Sequence, residues 1–127
     1  MKTITISTLL LVIAIATSSF VISRQQTTET SARVKNVNTL RVHRQGKAVS
    51  LTWTVSGGNA AQFHVERSYD GDFFETIASV ECNGASRYTF KDDSAFPGTI
   101  YYRICTLNND GTEEISAMEA VRLVQRK

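Results

Sequence analysis

From Val49 to Val55 the chain alternates strictly: Val49, Leu51, Trp53 and Val55 are apolar, and Ser50, Thr52 and Thr54 between them are polar. Successive side chains of an extended strand point to opposite faces, so this rhythm describes a strand with one buried and one wet face. The same period recurs along the chain. Leu40 and Val42 alternate with Arg41 and His43, Phe63 and Val65 with His64 and Glu66, Tyr88 and Phe90 with Thr89. Ile100, Tyr102 and Ile104 alternate with Tyr101, Arg103 and Cys105, and a last strand is read over Ile115 to Val124. Turn signals punctuate these runs at Gln45-Gly46-Lys47, Asp70-Gly71 and Asn108-Asn109-Asp110-Gly111. Phe74, Ile77 and Val80 stand at spacing three, which the flanking turns turn into a short, bulged strand rather than a helix. Val, Ile and Thr outnumber Leu several-fold, as suits strands. Seven short strands with no amphipathic helix predict an all-β antiparallel sandwich with a single core.

The first segment lies outside this pattern. Residues 1–23 read as an export signal: Lys2 supplies the leading charge, Leu9 to Ala16 is unbroken and apolar, and small residues follow. Ala16-Thr17-Ser18 sets a cut before Ser19, and Val21-Ile22-Ser23 sets one before Arg24. The alternative is an uncleaved anchor over residues 4–22, close to the length that spans a bilayer. Either way the remainder is expected outside the cytoplasm, periplasmic or extracellular. Residues 24–35 are polar, without strand or helix period, and read as a flexible lead-in.

The phrases VSLTW, FHVERSYDGDFF, YTFKD, PGTIYYRI and NNDG resemble a fibronectin type III domain, an immunoglobulin-like β-sandwich. They are similar to the variant found in exported proteins of gliding-type bacteria. The resemblance covers residues 36–124. It implies strands over about 36–43, 47–55, 62–69, 73–80, 87–91, 99–107 and 114–123. The first, second and fifth would form one sheet, and the seventh, sixth, third and fourth the other. It also implies a core tryptophan at Trp53, and a tyrosine early in the sixth strand whose hydroxyl ties down the preceding corner. Period two places Tyr102 inward with Ile100 and Ile104, which favours it over Tyr101. Val49, Leu51, Phe63, Val65 and Ile104 complete the expected core.

Cys82 and Cys105 are the two cysteines, an even number in a chain read as exported. In the implied fold they fall near one end, with the third strand between their strands. A disulfide then requires Cys82 to bend across that strand, because next-nearest strands stand about 9–10 Å apart. The alternative is two unpaired thiols, with Cys105 exposed on the outer face of its strand.

Little in the sequence points to chemistry. His43 and His64, the two histidines, sit at outward strand positions without an evident partner or pocket. There is no phosphate loop ahead of a helix, no nucleophile elbow and no metalloprotease motif. Asp70-Gly71-Asp72 lacks the further ligands of a calcium loop and is read as a turn. No catalytic residue, metal or cofactor is expected, and the chain is read as a non-enzyme.

The formal net charge is +2, which by itself makes no case for nucleic acid. Its distribution is uneven. Arg24, Arg33, Lys35, Arg41, Arg44 and Lys47 stand against Glu29 alone in residues 24–50, while acidic residues predominate from Leu51 to Glu119. A basic edge of this kind can steer toward an acidic cell-surface polymer or another subunit's acidic face. It also discourages edge-to-edge aggregation. The functional expectation is an exported, non-catalytic β-sandwich module that contacts protein or glycan at the cell envelope. Its contact surface is expected on the outer face of the larger sheet, near Tyr101, and on the loops at Gly57, Gly58 and Asn59 and at Asn83, Gly84 and Ala85. The alternatives are a structural spacer without a specific ligand and, if the leader is uncleaved, a membrane-tethered module.

Overall fold

The computed structural model describes residues 36–125. The readings for residues 1–23 and for the lead-in therefore lie outside the described residues. Eight strands follow one another: β1 Val37–Gln45, β2 Ala48–Val55, β3 Ala60–Ser68, β4 Glu75–Glu81, β5 Arg87–Asp92, β6 Gly98–Asn108, β7 Glu113–Ile115 and β8 Glu119–Leu123. There is no helix among the described residues. One sheet has the order β1-β2-β5. The other has the order β4-β3-β6, with β7 and β8 both pairing the far edge of β6. All pairings are antiparallel.

The count of eight corrects the expected seven. The last strand is broken in two at Ser116–Met118. Cys105 pairs Ile115 and Tyr102 pairs Glu119, so three residues on this strand face two on β6. The Ser116 side chain bridges the irregularity: its Oγ accepts the Ile104 N–H at 2.8 Å, while the Ser116 N–H donates to the Ile104 carbonyl at 2.9 Å. A hydroxyl thus takes the role of a ladder carbonyl, as at a β-bulge. A second bulge lies in β4. Val65 faces Ala78 and Glu66 faces Thr76, which leaves Ile77 without an opposite residue and accounts for the spacing of three there.

The inward faces meet in one core. Val49, Leu51, Trp53, Phe63, Val65, Ile100, Tyr102 and Ile104 are fully buried. Trp53 and Tyr88 come from one sheet and Phe63 from the other. Their ring centroids lie 5.8 Å (Trp53–Tyr88), 5.9 Å (Trp53–Phe63) and 4.8 Å (Phe63–Tyr88) apart. Stacked and edge-on arrangements of this kind add to the burial of area.

A buried charged bridge joins the sheets at one end. Arg67 on β3 donates through Nη1 to both carboxylate oxygens of Asp92 on β5, at 3.2 and 2.9 Å, and through Nη2 to Glu75 at 2.6 Å. Tyr102 donates its hydroxyl to Asp92 at 2.8 Å. Asp92 ends β5 and opens the connection to β6, so the Tyr102 hydroxyl ties down the corner that precedes its own strand. Burial alone would raise the Asp92 carboxyl, but hydrogen bonds from Tyr102, Arg67 and Ser94 and the Arg67 charge hold it below the usual carboxylate range.

Two outcomes follow. Trp53→Ala empties the centre of the core and is expected to cost about 3–5 kcal/mol, read by chemical denaturation; a variant that melts like the parent would show that the indole is not the core's keystone. Asp92 has a depressed carboxyl, so its stabilisation is complete above about pH 4, the range of a free Asp, and is lost as pH falls through its lower folded value. Asp92→Asn should therefore cost about 2–3 kcal/mol at neutral pH and narrow the stability gap between pH 6 and pH 3 measured by urea unfolding.

Candidate functional site

The loops at one end of the sandwich gather into a groove. Asn109 donates its N–H to the Asn59 carbonyl at 2.8 Å, which binds the β6–β7 turn to the β2–β3 loop. Across from them the β4–β5 loop is held by Tyr88. Its hydroxyl accepts the Asn83 N–H at 3.1 Å and lies 3.4 Å from the Cys82 Sγ. The Cys82 N–H donates to the Ala61 carbonyl at 3.0 Å, and Asn83 Oδ1 caps the loop by accepting the Ala85 N–H at 3.1 Å. Between these loops lies an open groove of about 670 Å³ lined by Gly57, Gly58, Ala60, Ala61, Gly84, Ala85, Ser86 and Asn109, with Val55, Glu81 and Cys82. Mostly small side chains line it, so a ligand can approach the main chain closely.

Of the residues singled out in the sequence, Gly57, Gly58 and Gly84 border this groove. Asn59 and Asn83 shape its walls through main-chain contacts. Tyr101 is elsewhere. Its ring lies 3.6 Å from where a side chain on Gly71 would begin, under the β3–β4 turn at the opposite end of the sandwich. Gly71 has φ +84°, and Asp70 caps the same turn by accepting the N–H groups of Asp72 and Phe73 at 2.9 Å. At that end Phe73 and Phe96 are exposed, with Phe96 6.0 Å from the Tyr69 ring. The sequence pattern did not single out Phe73 or Phe96, because both sit in connections where periodicity carries no signal.

The pairing weighed for Cys82 and Cys105 is corrected: both thiols are free. Cys82 packs against the core beside Tyr88. Cys105 stands opposite His64 on the outer side of the same sheet. The two sulfurs therefore face opposite sides of a sheet, with β3 between their strands, and a bond is geometrically excluded. Cys105 is also buried rather than exposed. Burial, followed by the charges of Glu113 and Glu66, raises its thiol.

The outer face of the larger sheet is satisfied from within. Arg103 pairs with Glu66 at 2.5 Å and lies over the Phe74 ring at 4.0 Å. Gln62 donates to Glu81 at 2.8 Å, and His64 Nε2 lies 3.2 Å from the Gln62 Oε1. His64 thus sits in an amide–carboxylate chain, with the buried Cys105 thiol at the opposite strand position and no hydrogen bond between the two. Among the described residues, no three His, Cys, Asp or Glu side chains gather where a metal ion could be held.

The outer face of the smaller sheet is different. Register places Thr39, Thr54 and Arg87 in one row, Arg41, Thr52 and Thr89 in the next, and His43, Ser50 and Lys91 in the third. Hydroxyl and basic side chains fill its three rows, and carboxylates stand only at its margins: Asp93, just beyond β5, lies 3.4 Å from Lys91, and Glu119 lines a shallow hollow with Arg41 at the β1 edge. Thr39 and Thr54 share a hydroxyl–hydroxyl hydrogen bond at 2.6 Å.

The sequence matches no family model, and no curated protein matches it. Solved structures share the fold. Pectate lyase Pel3 from Pectobacterium carotovorum aligns with a TM-score of 0.59 and 22% identity over 68% of this chain and 26% of its own. Pectate lyase PelI from Erwinia chrysanthemi, solved in complex with tetragalacturonic acid, aligns with a TM-score of 0.56 and 21% identity over 65% of this chain and 27% of its own. A β-1,2-glucanase from Parabacteroides distasonis aligns with a TM-score of 0.55 and 16% identity over 74% of this chain and 14% of its own. The chain thus spans about a quarter of the length of the pectate lyases, and the likeness at these identities is one of fold.

The thiol assignment has a direct readout. Labelling under denaturing, non-reducing conditions should mark two thiols per chain. In the native state Cys82 should label faster than Cys105, whose burial and raised thiol both retard reaction. A chain that takes up no label when denatured would restore the bridge.

Proposed function

We propose that this chain is an exported, non-catalytic module of the fibronectin type III kind, which holds a glycan at the cell envelope through the groove between the β2–β3 and β4–β5 loops. The observation that carries the reading is the groove itself. It is about 670 Å³ in volume, walled by glycine, alanine and main chain on a rigid sandwich. Its titratable lining groups are Glu81 and Cys82, and Glu81 is engaged by Gln62, so no pair is arranged for proton transfer across a bound sugar. Support for a glycan comes from the company the fold keeps. The same sandwich accounts for part of the length of two pectate lyases and a β-1,2-glucanase, and one of these lyases was solved with an oligosaccharide. In such an arrangement a small sandwich contributes binding while other parts of a chain contribute chemistry.

The test is a screen of neutral and acidic oligosaccharides against the purified chain, repeated with Gly58→Arg. Gly58 has open space around it and no unusual φ, so the substitution fills the groove without straining the loop. Binding that falls at least ~10-fold in Gly58→Arg, with the melting temperature within about 3 °C of the parent, supports the reading. No binding by the parent chain favours the spacer alternative. Turnover of any sugar would overturn the non-catalytic assignment.

A further inference from the structure

The groove leaves the outer face of the β1-β2-β5 sheet unused, and that face has a regular chemistry. Ser50, Thr52 and Thr54 form a central lane of hydroxyls along β2. Basic side chains flank the lane on alternating sides: Arg87 on β5 in the first row, Arg41 on β1 in the second, and Lys91 on β5 in the third, opposite His43. Successive rows are about 6.8 Å apart, two residues of an extended strand, and the flanking strands stand about 4.8 Å to either side. Among the described residues, Arg41 and Arg87 have no ion-pair partner, and Lys91 has an exposed contact with Asp93. The larger sheet of the same molecule pairs its outer Arg103 with Glu66. A face with cations and no carboxylate is complementary to a polyanion.

We infer that this face binds an acidic polysaccharide, a uronate-bearing glycan laid in extended form along the β2 lane. Its carboxylates would meet Arg41, Arg87 and Lys91 in charge-assisted hydrogen bonds, and its sugar hydroxyls would exchange hydrogen bonds with Ser50, Thr52 and Thr54. Other polyanions fit less well. Single-stranded nucleic acid is held by successive aromatic stacking platforms, and this face carries no Phe, Tyr or Trp, its one aromatic ring being the His43 imidazole at the β1 edge. An anionic bilayer is held by apolar side chains inserted below the headgroups, and none projects here. The row of hydroxyls can both donate to and accept from the hydroxyls of a sugar chain, whereas a phosphate oxygen would use them as donors alone. The surface is separate from the loop groove, so this inference goes beyond the function proposed above and stands or falls independently of it.

The experiment is affinity electrophoresis of the full chain through gels containing polygalacturonate or dextran at low ionic strength. The expected result is retardation by polygalacturonate, abolished by salt, and none by dextran. Arg41→Gln/Arg87→Gln should weaken retention at least ~10-fold while the melting temperature stays within about 3 °C, because both residues are exposed. Gly58→Arg should be retained like the parent, which separates this face from the groove. Absence of retardation, equal retention of the double variant, or tighter binding of a DNA oligonucleotide or of phosphatidylserine vesicles than of polygalacturonate would each overturn the inference.

Discussion

The structure depends on burying one face of each sheet around Trp53. The indole sits on the central strand of the smaller sheet, stacked on Tyr88 beside it and edge-on to Phe63 from the facing sheet. Every strand that brings a fully buried side chain to this layer must keep period two, because a slip of one residue would exchange its core and solvent faces. The Trp53 Nε1 has no hydrogen-bond partner within the described residues.

Around this centre the two ends of the sandwich are fixed by different means. At one end Arg67, Asp92, Tyr102 and Glu75 join the sheets through charged and hydrogen-bonded contacts. Such a bridge is costly to desolvate, but once formed it penalises the loss of any member heavily. At the other end there is no comparable ion pair among the described residues. Asn36 donates to Asn108 at 2.7 Å and to Glu114, and main-chain contacts between Asn59 and Asn109 hold the loops. The end secured by main chain, small polar residues and the Tyr88 hydroxyl is the end that opens into a groove.

Much of this was legible in the alternation. The order of the strands, the inward direction of Val49, Leu51, Trp53, Phe63, Val65, Tyr102 and Ile104, and the turn at Asp70-Gly71 all follow from period two and turn chemistry. The split of the last strand was not legible, because a one-residue bulge bridged by a serine leaves no mark on hydropathy. The buried bridge was half-legible. Arg67 continues the inward series of Phe63 and Val65, and Asp92 that of Tyr88 and Phe90, so opposite charges stand at two inward positions in different sheets. The cysteines misled because proximity along an end of a sandwich says nothing about which face of the sheet each sulfur occupies. That depends on parity, and Cys82 and Cys105 lie on opposite faces.

The two outer faces bear on function through their contrast. Neither is needed for the core, so each is free to vary in composition without changing the fold. On the larger sheet Arg103 is neutralised by Glu66, and Glu81 accepts a hydrogen bond from the Gln62 amide. On the smaller sheet cations share a face without a carboxylate. Unit charges about 12 Å apart in water repel by roughly 0.35 kcal/mol, and salt screens them further, so the arrangement is tolerable but brings the isolated molecule no stability. A single acidic residue in place of Thr52 or Thr89 would turn that repulsion into attraction. Cations on a hydroxyl-rich face, with Arg41 and Arg87 unpaired among the described residues and Lys91 held by Asp93 alone, make physical sense when the compensating charge comes from outside the chain, and this ties the electrostatics of the sheet to a ligand rather than to folding.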